Sequence, residues 1–150
     1  MKPIINLDYL GCFGSLPKRS TPATAIVIHH TCTSSPKRTR DVLIKKKCST
    51  HFEVGGDGTV YQYADINRIA SHCGSANCRT VGIDVTHLEG RDFNIVQLRA
   101  VKELVEWLCS ELNIPLEVHE QLSGIYPHRA LGNTKCPDNF PMEIFNQETI

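Results

Sequence analysis

The sequence predicts a single α/β domain in which helices flank a mixed central β-sheet. The chain has 150 residues, enough for one domain with a substantial hydrophobic core. Short apolar segments typical of strands are interspersed with two segments that suggest helices, and we find no linker or internal repeat. Strands mixed with helices in this order favour one α/β domain over separate domains.

The strands are predicted from apolar and β-branched runs that turn residues separate. The first run is fully apolar until it reaches a histidine. The Asp57-Gly58 pair is the strongest short-range hairpin signal in the chain and joins two of the predicted strands. The predicted strands cover residues 25–29, 50–55, 59–64, 81–86 and 125–127.

Two helices are predicted, a short one over residues 37–47 and a long one over residues 95–112. In the long one, apolar residues recur at spacings of three and four, which predicts one buried face. These residues are Val101, Leu104, Val105 and Leu108. Residues 1–22 are broken by glycine and proline, and we expect them to form an irregular leader that packs on a domain of residues 23–150.

Composition argues against several classes of partner. The formal net charge is +0 at pH 7, so we expect no nucleic acid and no membrane partner. No secretory signal is visible at the N-terminus, so we expect a protein that is made in a cytoplasm. We also expect it to act as a monomer. The basic residues between Lys37 and Lys47 are expected to form a solvated helix face, with contact to an anionic polymer or a protein as the alternative.

The seven cysteines are an odd number, so a full set of disulfides would leave one thiol unpaired. That leftover thiol suits Cys136 as a metal ligand. Because no export signal is visible, we expect the others to be free thiols, with up to three disulfides in an oxidising compartment as the alternative. The others are Cys12, Cys32, Cys48, Cys73, Cys78 and Cys109.

Two histidines and one cysteine form a candidate zinc site. His29 ends the first apolar strand, whereas His128 and Cys136 lie eight positions apart in a glycine-broken segment closed by Pro137. Two neutral imidazoles and a thiolate can hold zinc, and catalytic zinc sites keep a fourth position open for water. Isolated histidines and cysteines more often belong to the surface or the core. The prediction of a hydrolase therefore depends on the three residues meeting in the fold.

Five motifs resemble, in the same order, those of the type 2 family of zinc-dependent N-acetylmuramoyl-L-alanine amidases. This family includes phage lysozyme-type amidases and animal peptidoglycan-recognition proteins. The motifs are Ile26–Thr31, Thr50–Phe52 with Gly56–Val60, Ala70–Gly74, Val81–Val85 and His128–Cys136. The resemblance implies the phage lysozyme-type amidase and peptidoglycan-recognition fold, and Zn²⁺ held by His29, His128 and Cys136. It also implies cleavage of the amide between N-acetylmuramic acid and L-alanine.

The sequence departs from this family's pattern at three positions. Phage lysozyme-type members carry a tyrosine where this chain has Thr50 and a lysine where it has Thr134, and many relatives carry a glutamate where it has Asp84. A carboxylate in an otherwise apolar strand is typical of a functional site, so we expect Asp84 to be the general base. A solvent-facing aspartate at a strand end is the alternative.

Further roles are expected for polar residues near these motifs. Thr134 and His51 are expected to stabilise the oxyanion, and His51 also to carry a proton to the leaving amine. The alternatives are loop hydrogen bonding for Thr134 and packing for His51. His72 and Thr50 are expected to bind substrate.

The remaining histidines are expected to lie outside the zinc site. His30 is expected to face away from the metal, because successive strand side chains point to opposite faces. His87 and His119 lie in no motif and are expected at the surface.

These inferences predict an enzyme that degrades peptidoglycan, most simply a phage endolysin that reaches the cell wall after holin-mediated release and lyses the host. One alternative is a cytoplasmic amidase that recycles soluble muropeptides. Another is a non-catalytic module that binds peptidoglycan or muropeptide. A further alternative is that the protein also binds a protein partner and regulates it.

Overall fold

The computed structural model describes residues 1–117 and 121–150, so the expectation for His119 lies outside the described residues. Within them, six strands form one sheet in the order β1-β4-β3-β5-β2-β6. The strands are β1 (Ile5–Asn6), β2 (Ala25–His30), β3 (Phe52–Val54), β4 (Val60–Gln62), β5 (Thr80–Val85) and β6 (Gly124–Pro127).

The sheet is mixed, as predicted. Strand β2 lies between β5 and β6 and is parallel to both, and β3 is parallel to β5. Strands β3 and β4 form the antiparallel hairpin that the Asp57-Gly58 turn predicts. Parallel neighbours end at the same edge of a sheet. The ends of β2 and β6 therefore bring His29 and His128 to one edge, although they are distant in sequence.

Two α-helices with defined caps accompany the sheet in the described chain: α1 (Pro36–Lys46) and α2 (Ile95–Leu112). Helix α1 begins after Ser35, whose hydroxyl accepts a hydrogen bond from the Arg38 amide. Helix α2 is capped in the same way by Asn94. Three-residue hydrogen-bonded turns form 3-10 helices at Gly74–Arg79, His128–Ala130 and Met142–Asn146.

The sheet has one apolar face and one face that carries the site. The predicted stripe on α2 is fully buried and packs in the same hydrophobic cluster as Val81, Ile83 and Val85 of β5. Because strand side chains alternate, Thr80, Gly82 and Asp84 face the opposite side. The core thus fixes which side of β5 presents a carboxyl group to the site.

The leader, residues 1–22, is largely irregular but takes part in the sheet and the core. Strand β1 pairs with β4 at the sheet edge. Arg19 is buried and donates hydrogen bonds to four backbone carbonyls, those of Ile66, Arg68, Cys78 and Thr80. These contacts tie the leader to the loop that precedes β5.

All seven cysteines are free thiols. Among the described residues, no helix combines the length and the apolar character that crossing a membrane requires.

Candidate metal centre and its cleft

The structure brings the three predicted zinc ligands together. One ligand atom from each of His29, His128 and Cys136 lies within 4.8 Å of the other two. The Cys136 sulfur is 3.7 Å from Nδ1 of His29, and the rings of His29 and His128 are 4.5 Å apart between centroids. His29 and Cys136 are buried, whereas His128 is partly exposed. This arrangement leaves one side of the cluster open to solvent.

Local backbone structure positions each ligand. His29 is the fifth residue of β2, and His128 begins the 3-10 helix that follows β6 directly. The loop returns to the sheet at Cys136, whose sulfur accepts a hydrogen bond from the His30 amide at 3.3 Å. The Cys136 carbonyl accepts another from the Arg129 amide at 2.7 Å. The loop is thus closed by hydrogen bonds within the protein.

Burial sets the protonation states of the three clustered side chains in the absence of a metal. Burial, together with His128 and His30 nearby, lowers the pKa of His29 to about 3. Burial also lowers the pKa of His128 and raises that of Cys136 to about 12. Both imidazoles are therefore neutral and offer lone pairs, and the thiol becomes a thiolate when a metal displaces its proton. This donor set fits Zn²⁺ with an open fourth position.

The cluster lies in a cleft of about 440 Å³. Helix α1 supplies Val42, Leu43 and Lys46 to the cleft, so one part of its lining is apolar with a single positive charge. The other part is polar and carries hydroxyl groups and imidazoles. The polar lining includes Thr31, Thr33, Ser49, Ser71, His72 and Asp84.

Asp84 is buried beside the predicted ligands. It is the Cα partner of His29 across β2 and β5, and it lines the cleft. Burial raises the pKa of Asp84 to about 8, with a further increase from the negative charge of Glu53, whereas a hydrogen bond from Thr50 lowers it. A carboxyl group whose pKa lies near neutrality can accept and return a proton under physiological conditions.

Glu53 is a second buried carboxyl group, and the sequence reasoning missed it. It accepts hydrogen bonds from the hydroxyls of Thr39 at 2.8 Å, Tyr63 at 2.7 Å and Thr86 at 2.6 Å. Burial raises its pKa, and these three donors oppose the increase. The sequence does indicate this residue: Glu53 is a single charged residue between the apolar Phe52 and Val54. Asp84 was identified from the same kind of pattern in its own strand.

Thr50 and His72 lie near the cluster but in different environments. Thr50 is buried, and its hydroxyl donates to the Phe52 carbonyl at 3.5 Å, so a direct substrate contact does not fit its position. His72 lines the cleft, and its Nδ1 is 2.9 Å from Nε2 of His29.

His51 has no free ring nitrogen for proton transfer. It is fully buried, its Nδ1 accepts a hydrogen bond from the Gly82 amide at 3.0 Å, and its Nε2 donates to the Arg68 carbonyl at 2.9 Å. Burial lowers its pKa to about 4. The proposed oxyanion and proton-transfer roles therefore do not fit, and the packing alternative does. His51 holds β5 against the loop that contains Arg68.

Thr134 is exposed and lies two residues before Cys136. Its hydroxyl oxygen accepts a hydrogen bond from the Cys136 amide at 3.1 Å, which leaves its proton available for donation. It is not among the residues that line the cleft. Its established contact is therefore the loop hydrogen bond.

Two further histidines complete the surroundings. His30 is outside the three-residue cluster, and its Nε2 lies 3.1 Å from the Cys32 sulfur. The expectation that His87 lies at the surface is wrong. Its ring is buried, stacks on Phe93 at a centroid distance of 3.7 Å and lies 3.4 Å from an Asp138 carboxylate oxygen.

Comparison with known proteins decides the family. The model of the N-acetylmuramoyl-L-alanine amidase family Amidase_2 matches residues 19–139, which is most of the chain and includes all three clustered ligands. The chain belongs to this family. The family predicted from the motifs is thereby confirmed, and the mixed six-stranded sheet confirms the predicted α/β fold class.

One curated relative matches part of the chain. The chain is 30% identical over 90 residues to peptidoglycan-recognition protein SC2 of Drosophila melanogaster, a match that covers 58% of this chain and 45% of the relative. The match therefore spans about half the length of that curated relative.

Two solved structures share the amidase fold. One is the endolysin N-acetylmuramoyl-L-alanine amidase LysCS from Clostridium intestinale, with a TM-score of 0.80 and 23% identity over 97% of this chain and 95% of that one. The other is human PGRP-IβC in complex with glycosamyl muramyl pentapeptide, with a TM-score of 0.73 and 19% identity over 97% and 96% of the chains. At this identity the likeness concerns the fold.

Proposed function

We propose that the protein is a zinc-dependent hydrolase that cleaves the amide between N-acetylmuramic acid and L-alanine in peptidoglycan, as a phage endolysin does. The observation that carries this proposal is the meeting of His29, His128 and Cys136 in a cleft beside the buried carboxyl group of Asp84. Membership of the amidase family supports the same reaction. In this proposal the substrate is peptidoglycan or one of its muropeptide fragments.

His29, His128 and Cys136 would hold the ion. Bound there, Zn²⁺ supplies Lewis acidity, which lowers the pKa of a water towards about 7 and polarises the carbonyl group of the amide. A thiolate donates more electron density than an imidazole, so this ligand set makes a nearby base more useful. Asp84 lies where such a base is needed.

Asp84 would accept the proton of the attacking water and return it to the amine of L-alanine as the carbon–nitrogen bond breaks. Its burial excludes bulk water, which would otherwise compete for that proton. Thr134 retains a free hydroxyl proton, and we keep it as the proposed oxyanion donor. His51 has no part in these steps, because its nitrogens are already hydrogen-bonded.

Helix α1 offers the substrate an apolar surface and one charge. Val42 and Leu43 can contact the apolar parts of a peptide, and Lys46 can pair with a carboxylate. The proposed biological setting is lysis of a host by action on the cell wall after holin-mediated release. The similarity to an endolysin from a Clostridium species supports this setting.

The test is digestion of purified sacculi and, separately, of soluble muropeptides, with Cys136→Ser as the inactive control. We expect free L-alanine amino termini from sacculi without new reducing sugar ends. Reducing ends would mean glycoside cleavage and overturn the proposal. Cleavage of soluble muropeptides alone would identify a recycling amidase, and binding without cleavage a recognition module.

A further inference from the structure

We propose that His72 is the positioning residue of the metal centre: it fixes the ring of His29 and selects the nitrogen that His29 offers to the metal. The inference rests on the proposed function, because it concerns the same zinc site. It replaces the predicted role of His72 as a substrate contact.

The two nitrogens of His29 have different neighbours. Its Nδ1 faces the Cys136 sulfur at 3.7 Å, and its Nε2 is 2.9 Å from Nδ1 of His72. A neutral imidazole carries a hydrogen on one nitrogen and a lone pair on the other. The direction of the bond between the two histidines therefore decides which nitrogen of His29 is free to bind a metal.

Thr80 sets that direction. Its hydroxyl donates its only proton to the Ala76 carbonyl at 2.9 Å, so towards Nε2 of His72, 3.1 Å away, it can only accept. His72 consequently carries its hydrogen on Nε2, and its Nδ1 accepts from His29. The lone pair of His29 is then on Nδ1, the atom that faces the Cys136 sulfur. The Thr80 hydroxyl thus fixes the tautomer of His72, and His72 fixes the tautomer of His29.

The ring of His72 is held in place before any metal binds. It lies directly against Gly82 of β5, where a Cβ atom would be only 2.7 Å from Nδ1 of His72. The His72 amide donates to the side-chain oxygen of Asn77 at 3.1 Å, which anchors the backbone. Thr80 is fully buried, so water does not compete for its hydroxyl.

This geometry matches what metal-binding histidines require of their surroundings. Such a histidine normally donates its second N–H group to an acceptor, which fixes the tautomer and the ring orientation, and loss of that acceptor typically weakens metal binding about 10–100-fold. Here the acceptor is another imidazole, itself oriented by Thr80. We therefore expect both His72 and Thr80 to affect zinc affinity without touching the metal.

The first experiment measures zinc dissociation constants by chelator competition for the parent, His72→Phe and His72→Gln. Phenylalanine retains a planar ring without an acceptor, and we expect zinc binding about 10–100-fold weaker. Glutamine offers an amide oxygen that can accept from His29, so its affinity should be closer to that of the parent. At saturating zinc, the KM for muropeptide should stay near the parent value.

The second experiment uses Thr80→Val and its matched control Thr80→Ser. Valine has a similar shape but cannot accept a hydrogen bond, whereas serine retains the hydroxyl. Ring ¹⁵N shifts of His29 in the metal-free proteins report the tautomer directly. We expect the Nε2–H form in the parent and in Thr80→Ser, and a mixture of tautomers in Thr80→Val. A residue needed only for packing would leave this tautomer unchanged.

Two results would overturn the inference. One is the Nδ1–H form of His29 in the metal-free parent. The other is parent-like zinc affinity in His72→Phe together with a raised KM, which would make His72 a substrate contact. Failure of the proposed function looks different: it is a parent protein that shows the expected tautomer and affinity changes but cleaves no peptidoglycan amide.

Discussion

Glu53 and Asp84 are neighbouring carboxylic acids inside the sheet: they are Cα partners of β3 and β5, and they are 0% and 6% exposed. Only Asp84 reaches the cleft, whereas three hydroxyls surround Glu53. The negative charge of Glu53 contributes to the raised pKa of Asp84. The pKa of the predicted base therefore depends on Glu53, a buried residue that does not line the cleft.

The proposed ligand set predicts that one of the seven thiols, Cys136, is needed for zinc binding. Cys136→Ser should lose most of its zinc, because a neutral hydroxyl is a poor substitute for a thiolate. Metal analysis after dialysis measures this, with Cys32→Ser as the control, since Cys32 is exposed and outside the cluster. Full zinc occupancy in Cys136→Ser would contradict the assignment.

Zinc binding should release protons at pH 7. The pKa of Cys136, raised to about 12 by burial, keeps the thiol protonated until a metal displaces the proton. Asp84, with a pKa of about 8, is also largely protonated at pH 7 and can lose a proton when a cation binds nearby. Affinity should therefore rise with pH.

Calorimetry in buffers of different ionisation enthalpy counts these protons. Asp84→Asn removes the second group, so this variant should release about one proton, from Cys136. Zinc binding without proton release in Asp84→Asn would mean that the thiol is not a ligand.

Asp84 should be needed for turnover but not for metal. Loss of a general base typically costs about 10²–10⁴-fold in rate, so Asp84→Asn should bind zinc and be nearly inactive. Asp84→Glu keeps a carboxylate at this position and should retain more activity than Asp84→Asn. The comparison is of kcat at saturating zinc. Parent-like turnover by Asp84→Asn would leave Asp84 with a structural role only.

Glu53→Gln should move the acid limb of the pH–rate profile to lower pH. The charge of Glu53 raises the pKa of Asp84, so removing that charge lowers it, and the base becomes ionised at a lower pH. Glutamine has nearly the same shape and can still bind hydroxyls. The measurement is kcat/KM against pH, and an unchanged acid limb would show that the two carboxyl groups do not interact.

Arg19 should be essential for stability although it lies in the leader. Its guanidinium donates to four backbone carbonyls, and each hydrogen bond to a charged group contributes about 1.5–3 kcal/mol. Arg19→Met should therefore lower the free energy of unfolding by at least about 3 kcal/mol. Lys18→Met is the matched control, because Lys18 is exposed. Denaturation curves compare the two, and equal stability would contradict the inference.

The sequence by itself determined most of the elements and the candidate ligand set. Apolar periodicity placed α2 at residues 95–112, as the structure has it, and the hairpin followed from Asp57-Gly58. His29, His128 and Cys136 were identified because ligand chemistry depends on residue type and spacing, which a sequence displays. These are local properties of the chain.

Only the tertiary structure decided what the surrounding polar residues do. His51 and His72 each lie in a family-like motif of the sequence. In the structure His51 is hydrogen-bonded to the backbone of Gly82 and Arg68, whereas His72 is hydrogen-bonded to His29. His87 has no motif around it, yet it is buried against Phe93. The physical reason is that a histidine's role depends on the partners of its two nitrogens. The register of parallel strands and the packing of distant loops determine those partners, and the residues next to a histidine in the sequence predict neither.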